Sequence, residues 1–178
     1  MDFPKSFIRA GKETCTLNEF VPAPYFRKTF SIKTVKELKS VTEADAVICG
    51  LGFYELYING KNITKGLLAP YISCPDDLVY YDAYDILPYL RKGENVIGVC
   101  LGNGLQNAFG AYCWDFQNAK WLAAPQFALR CTVKFQDGGT LVTQSDETFK
   151  TARSPILFDD RHCGEYYDCL LYTSDAAD

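Results

Sequence analysis

From Phe127 to Phe135 nine residues alternate without interruption, with Phe127, Leu129, Cys131, Val133 and Phe135 on one side and Ala128, Arg130, Thr132 and Lys134 on the other. A repeat of two collects the large apolar side chains on one face of an extended chain, which a helical repeat of 3.6 cannot do. Asp137-Gly138-Gly139 follows, and Thr140-Leu141-Val142-Thr143 resumes the extended pattern, so the segment reads as a hairpin. A hairpin with one apolar face needs a second layer to cover it, and this requirement governs the rest of the chain.

Other segments repeat the theme. Phe26, Phe30 and Ile32 share one face of a strand over 25–32, and Phe53 to Ile58 ends in Asn59-Gly60, a dipeptide that accepts the positive φ of a type I′ turn. Ala46 to Gly50 and Leu78 to Tyr84 are read as strands, and Asn95 to Leu101 as a central strand buried on both faces. Lys33 to Asp45 is polar, a loop or a short helical turn. Asp85 to Leu90 forms one helical turn with Asp85 as its cap, closed by Lys92-Gly93. Aromatic residues make up 15% of the chain against a single Met, a bias towards short strands and turns. The expected fold is all-β, an antiparallel β-sandwich or jelly roll, in a chain of 178 residues that holds one domain and little more.

Charge and composition exclude several functions. A net charge of −4 and an isoelectric point near 5.1 leave no basic footprint for nucleic acid or an anionic membrane surface. The first thirty residues carry no export signal and no stretch is long and apolar enough to span a bilayer, so the expectation is a cytoplasmic protein with neither nucleic-acid nor membrane partners. The eight cysteines form no CxxC or CxxxC pair, which favours buried free thiols over a zinc site or a disulfide framework.

Signatures of catalysis are missing: there is no GxSxG, HExxH or phosphate-binding loop, and His162 is the only histidine. Its neighbour Cys163 would point to the opposite face of a strand, which counts against a Cys-His pair. The segment Gly102 to Asn118 mixes amides, an acid and aromatics, the residue types that hold sugar hydroxyls and stack on the C–H face of a pyranose. Asn103, Trp114, Asp115 and, further on, Glu165 are the candidate carbohydrate-binding residues. Asn103, Asp115, Asp159, Asp160 and Glu165 also offer oxygen to Ca²⁺, although no cofactor is required. The alternative is that Gly and Asn serve turns while Trp114 and Phe116 cover one end of the sandwich.

The last ten residues, Cys169 to Asp178, break from the preceding pattern and resemble the translation of a transposase-type sequencing adapter, a scar known in metagenomic gene models. The organisation expected is a leader over 1–24, a β-sandwich domain over 25–168 and an adapter-derived tail over 169–178, with the chain a truncated front piece of a longer protein.

An ordered series of segments carries a resemblance. Gly50-Leu51-Gly52-Phe53-Tyr54-Glu55-Leu56-Tyr57-Ile58-Asn59-Gly60-Lys61, Leu68-Ala69-Pro70-Tyr71, Tyr80 to Ile86, Gly93 to Gly98, Leu101-Gly102-Asn103-Gly104 and Gly164-Glu165-Tyr166-Tyr167-Asp168 resemble, in order and spacing, the N-terminal domain of bacterial alpha-L-rhamnosidases. The resemblance implies a galactose-binding-like β-sandwich set before further β domains and an (α/α)6 barrel that holds the catalytic carboxylates of an inverting glycoside hydrolase. It implies an accessory role beside those downstream domains, with a rhamnose-containing glycan as the partner and no catalytic residue in this chain. The rival reading is a free-standing carbohydrate-binding module for such glycans, with Ca²⁺ as a possible helper.

Overall fold

The structure, a computed structural model, describes residues 2–10, 21–108 and 118–174, with side chains through residue 171. It contains twelve strands: β1 (Ile8–Arg9), β2 (Pro24–Ile32), β3 (Val41–Leu51), β4 (Tyr54–Ile58), β5 (Lys61–Asn62), β6 (Asp82–Asp85), β7 (Gly93–Leu101), β8 (Gln126–Phe135), β9 (Thr140–Gln144), β10 (Lys150–Arg153), β11 (Ile156–Asp160) and β12 (Gly164–Tyr167). Among the described residues there are also two short helices, α1 (Val35–Lys39) and α2 (Cys169–Ser174), and a 3-10 turn at Leu87–Tyr89.

One sheet runs β1-β8-β3-β6 with β9 also paired to β8, and a second runs β10-β2-β7-β4-β5. Every pairing is antiparallel. β11 and β12 form a separate hairpin. The two larger sheets close on one core, the β-sandwich expected from the alternation. Phe127 of β8 meets Phe26 of β2 edge to face across the interior with ring centroids 4.9 Å apart, and Phe149 on its other side at 5.8 Å. Leu129, Cys131 and Val133 follow Phe127 inward at every second residue, while Leu56, Ile58, Ile97, Val99 and Leu101 do the same from the facing sheet. Each such side chain, fully buried, contributes about 1.5–3 kcal/mol.

The Asn59-Gly60 turn has the expected form, with φ of 51° at Asn59 and 80° at Gly60. Three strand readings need correction. β3 begins at Val41 rather than Ala46, because its inward residues there, Ala44 and Ala46, carry too little apolar surface to stand out between Glu43 and Asp45. Within Leu78 to Tyr84 only the end is paired, in β6; Leu78 to Tyr81 lie exposed outside the sheet. β7 is central in its sheet, but buried completely on one face only: Asn95, Ile97, Val99 and Leu101 are inside, whereas Glu94, Val96 and Gly98 keep some exposure on the other. The polar stretch after Lys33 contains α1, held by a capping box in which Thr34 Oγ1 accepts from the Glu37 amide and the Glu37 carboxylate accepts from the Thr34 amide. Asp85 Oδ1 accepts from Leu87 N at 2.9 Å, but it is not the cap expected: Ile86 holds the N-cap position of the 3-10 turn, with no side-chain cap bond. No helix among the described residues is long and apolar enough to cross a membrane.

Candidate functional site

The outward face of β7 decides where a ligand has room. Its positions Gly98 and Cys100, followed by Gly102 just past the strand, are all small. Strands on either side carry larger groups at the same level: Cys100 is paired with Tyr25 of β2 and with Glu55 of β4. Gly98 is paired with Tyr57, whose Cβ lies 3.4 Å from where a Cβ on Gly98 would be. The result is a trough with walls of Tyr and Glu.

The β11–β12 hairpin closes one side of this trough. Asp159 and Glu165 face each other across its two strands, and Asp160 Oδ1 accepts from the backbone amides of His162 and Cys163, which fixes its turn. Between hairpin and sheet lies a cleft of about 630 Å³, whose lining includes Tyr25, Glu55, Tyr57, Cys100, Arg161 and Glu165. That volume falls within the ~300–1,000 Å³ of ordinary small-molecule sites.

Hydrogen bonds hold the carboxylates in place. Tyr57 Oη donates to Glu55 Oε2 at 2.6 Å, and Asn62 Nδ2 reaches Glu55 Oε1 at 3.4 Å. Burial, then this bond to Glu55, raises the Tyr57 phenol well above its ordinary range. Asp159 is gripped by one residue twice: Asn103 N donates to its Oδ2 at 2.7 Å and Asn103 Nδ2 to its Oδ1 at 2.7 Å. Burial still raises the Asp159 carboxyl, against the lowering effect of these bonds and with the Glu165 charge adding to the rise. The Cys100 thiol is pushed up to about 12, first by burial and then by Glu55, Asp159 and Glu165, so it stays a neutral thiol at the floor of an acidic cleft.

The candidate residues from the sequence separate on this geometry. Glu165 stands on β12 in the cleft wall, exposed. Asn103 is fully buried; besides Asp159 its amide donates to Val21 O at 2.9 Å, and its carbonyl oxygen accepts from Asn107 Nδ2 at 2.6 Å. Its polar atoms are thus spent inside the chain, where it clamps the loop after β7 to the hairpin. Trp114 and Asp115 lie outside the described residues. His162 and Cys163 sit in the hairpin turn, not on a strand.

Tyr25, Glu55, Tyr57, Arg161 and Tyr167 were not singled out by sequence. A period-two reading does put Glu55 and Tyr57 on the outward side of their strand, but nothing local says that a hairpin a hundred residues later will wall that side.

Two carboxylates facing each other, Asp159 and Glu165, invite comparison with the acid pair of a glycoside hydrolase. Both oxygens of Asp159 accept hydrogen bonds from Asn103, which fixes the carboxylate in place. Ca²⁺ takes six to eight oxygen ligands. Among the described residues no three Asp, Glu, His or Cys side chains gather as a ligand set. Asp159 is tied to Asn103 and Asp160 to its own turn, and Asp115 lies outside the described residues.

The fold and cleft together define a class: a β-sandwich domain with a preformed, acid- and aromatic-walled recess on the outside of one sheet. Residues 39–175 match the family model described as the alpha-L-rhamnosidase N-terminal domain, and the chain belongs to that family. It is 34% identical over 155 residues to an alpha-L-rhamnosidase of Formosa agariphila, covering 86% of this chain and 16% of that protein. It is also similar to the solved alpha-L-rhamnosidase from Dictyoglumus thermophilum, with a TM-score of 0.68 and 36% identity over 82% of this chain and 15% of that one. The Streptomyces avermitilis enzyme, solved with L-rhamnose, gives a TM-score of 0.70 at 25% identity, over 82% of this chain and 14% of that one. The chain thus spans about a sixth of the length of these relatives.

Proposed function

We propose that this chain is an accessory β-sandwich domain of a larger alpha-L-rhamnosidase, assisting recognition of a rhamnose-containing glycoside while a separate domain of the same polypeptide performs hydrolysis. The observation that carries this reading is the family match over 39–175 in a chain that spans only 14–16% of its longer relatives. An inverting hydrolase needs one acid to protonate the leaving oxygen and a second carboxylate to activate water, and on this reading that pair belongs to the separate domain.

Assayed with an aryl α-L-rhamnopyranoside, the 178-residue chain alone is expected to release no phenol. Turnover that co-purifies with the chain would overturn the accessory role. A second reading, a free-standing carbohydrate-binding module, is favoured by the preformed cleft. Reading the source DNA past codon 168 separates the two, since an open frame continuing for several further domains supports the first and an immediate stop the second.

A further inference from the structure

The connection from β5 to β6 carries an inference about what this domain packs against, and the inference rests on the accessory reading. We propose that the apolar face built by residues 67–81 is an interdomain surface, covered by the part of the same polypeptide that follows this domain.

The first observation is exposure. Leu67, Leu68 and Tyr71 keep 95%, 60% and 84% of their surface in solvent, and Ile72, Leu78 and Tyr80 are exposed in the same connection. Phe53 joins the two halves of this face, since it lies both in the wall of the recess that includes Leu67 and Leu68 and in that of a smaller one that includes Tyr71, Ile72 and Val79. Scattered exposed apolar side chains are ordinary, but a continuous group of them marks a surface that is covered in the working molecule.

The second is order. Tyr54 N donates to Ala69 O at 2.8 Å, with Ala69 itself buried, and Lys65 Nζ donates to Ala83 O at 2.8 Å. The amides of Asp77 and Leu78 both donate to Cys74 O, at 3.0 and 2.9 Å, and the Tyr81 ring meets Phe3 edge to face at 4.8 Å. The backbone therefore holds these apolar groups outward in a fixed arrangement, and a surface ordered in advance loses little entropy when it docks.

The third observation selects the occupant. The family is that of an N-terminal domain and the chain spans 14–16% of its relatives, so most of such a polypeptide comes after this domain. The chain leaves the sandwich through β12, whose last residue, Tyr167, shares the cleft wall with Leu67 and Leu68. A following domain is thus tethered beside the apolar face at an effective concentration on the order of millimolar, whereas a second copy has to reach it from solution. An anionic membrane surface is disfavoured by charge, because the only charged residues in 67–81 are Asp76 and Asp77.

The test is hydroxyl-radical footprinting, with the oxidised side chains located by mass spectrometry, on the 178-residue chain and on the longer polypeptide translated from the source locus past codon 168. In the short chain Leu68 and Tyr71 should react as exposed side chains, and in the long one their rates should fall about fivefold or more as contact removes their water. Leu87, exposed beside the Asn59 turn at the other end of the sandwich, should keep its rate. The paired change Leu67→Asp and Tyr71→Asp should leave the urea midpoint of the short chain within about 0.3 M, since both side chains stand in solvent, yet in the long polypeptide should return Leu68 and Ile72 to their short-chain rates. A fall at Leu68 and Tyr71 no larger than that at Leu87, or protection that survives the paired change, would overturn the inference. So would protection of 67–81 already present in the short chain, whether as a monomer or as a dimer that assigns the face to a second copy. A frame that closes after codon 168 removes the accessory reading and this inference together. An open frame whose product leaves Leu68 and Tyr71 as reactive as before removes this inference alone.

Discussion

Replacing Asn103 by alanine distinguishes a ligand-binding amide from a scaffold amide. In the folded chain the side chain donates to Asp159 Oδ1 at 2.7 Å and Val21 O at 2.9 Å, and accepts from Asn107 Nδ2 at 2.6 Å. The first bond ends on a carboxylate and is worth roughly 1.5–3 kcal/mol, and each of the other two leaves a buried group unsatisfied at about 1–3 kcal/mol when lost. Allowing for water entering the space, we expect Asn103→Ala to destabilise the chain by about 4 kcal/mol. With a urea slope of about 2 kcal/mol/M, the unfolding midpoint should fall by about 2 M. Asn103→Asp should be worse at pH 7, since it sets a second carboxylate against Asp159, and should recover part of the loss in acid. A midpoint that moves by less than about 0.5 M in Asn103→Ala would refute the clamp and return Asn103 to the pool of ligand-binding residues.

Asp45 has a carboxyl raised above its ordinary value of 3.8, by burial first and then by Glu43, and its Oδ2 has no hydrogen-bond partner. The stability tied to its protonated form is therefore full below 3.8 and is lost as pH rises through the raised value, so Asp45→Asn should melt higher than the parent at pH 7 and lose that advantage near pH 3.5, as followed by thermal unfolding. Two alanine substitutions should behave very differently in urea. A Cβ on Gly52, at φ 124°, would lie 2.4 Å from Gly102 O and 2.9 Å from Pro125 Cβ, so Gly52→Ala should prevent a stable fold; Gly60→Ala meets open space at φ 80° and should lose only about 1–2 kcal/mol.

Much of the sandwich was legible because its evidence is local. The alternation in β8, the Asn-Gly turn and the Asp-Gly-Gly turn depend on the backbone φ of two or three residues and a repeat of two, all visible in a short window. Several elements were missed, β1 and β11 among them; others had weak local contrast: β3 over Glu43 to Asp45, where alanine faces the core, and β10 and β12, whose residues are all exposed. Such strands form because a neighbour offers free amides and carbonyls, as β2 does for Lys150 to Arg153.

The sequence by itself determined the layered all-β class, through side-chain periodicity and turn chemistry, and the family, through an ordered set of short motifs. Only the tertiary structure decided which polar groups face the cleft. Asn103 and Glu165 look alike as polar loop-region residues, yet one is buried against Asp159 and the other stands in the cleft wall. The cleft joins Tyr25, Glu55, Cys100 and Glu165, which come together only after β2, β7 and β4 pair and the hairpin folds over them. Long-range pairing sets which outward face is covered, and a local window contains no term for it.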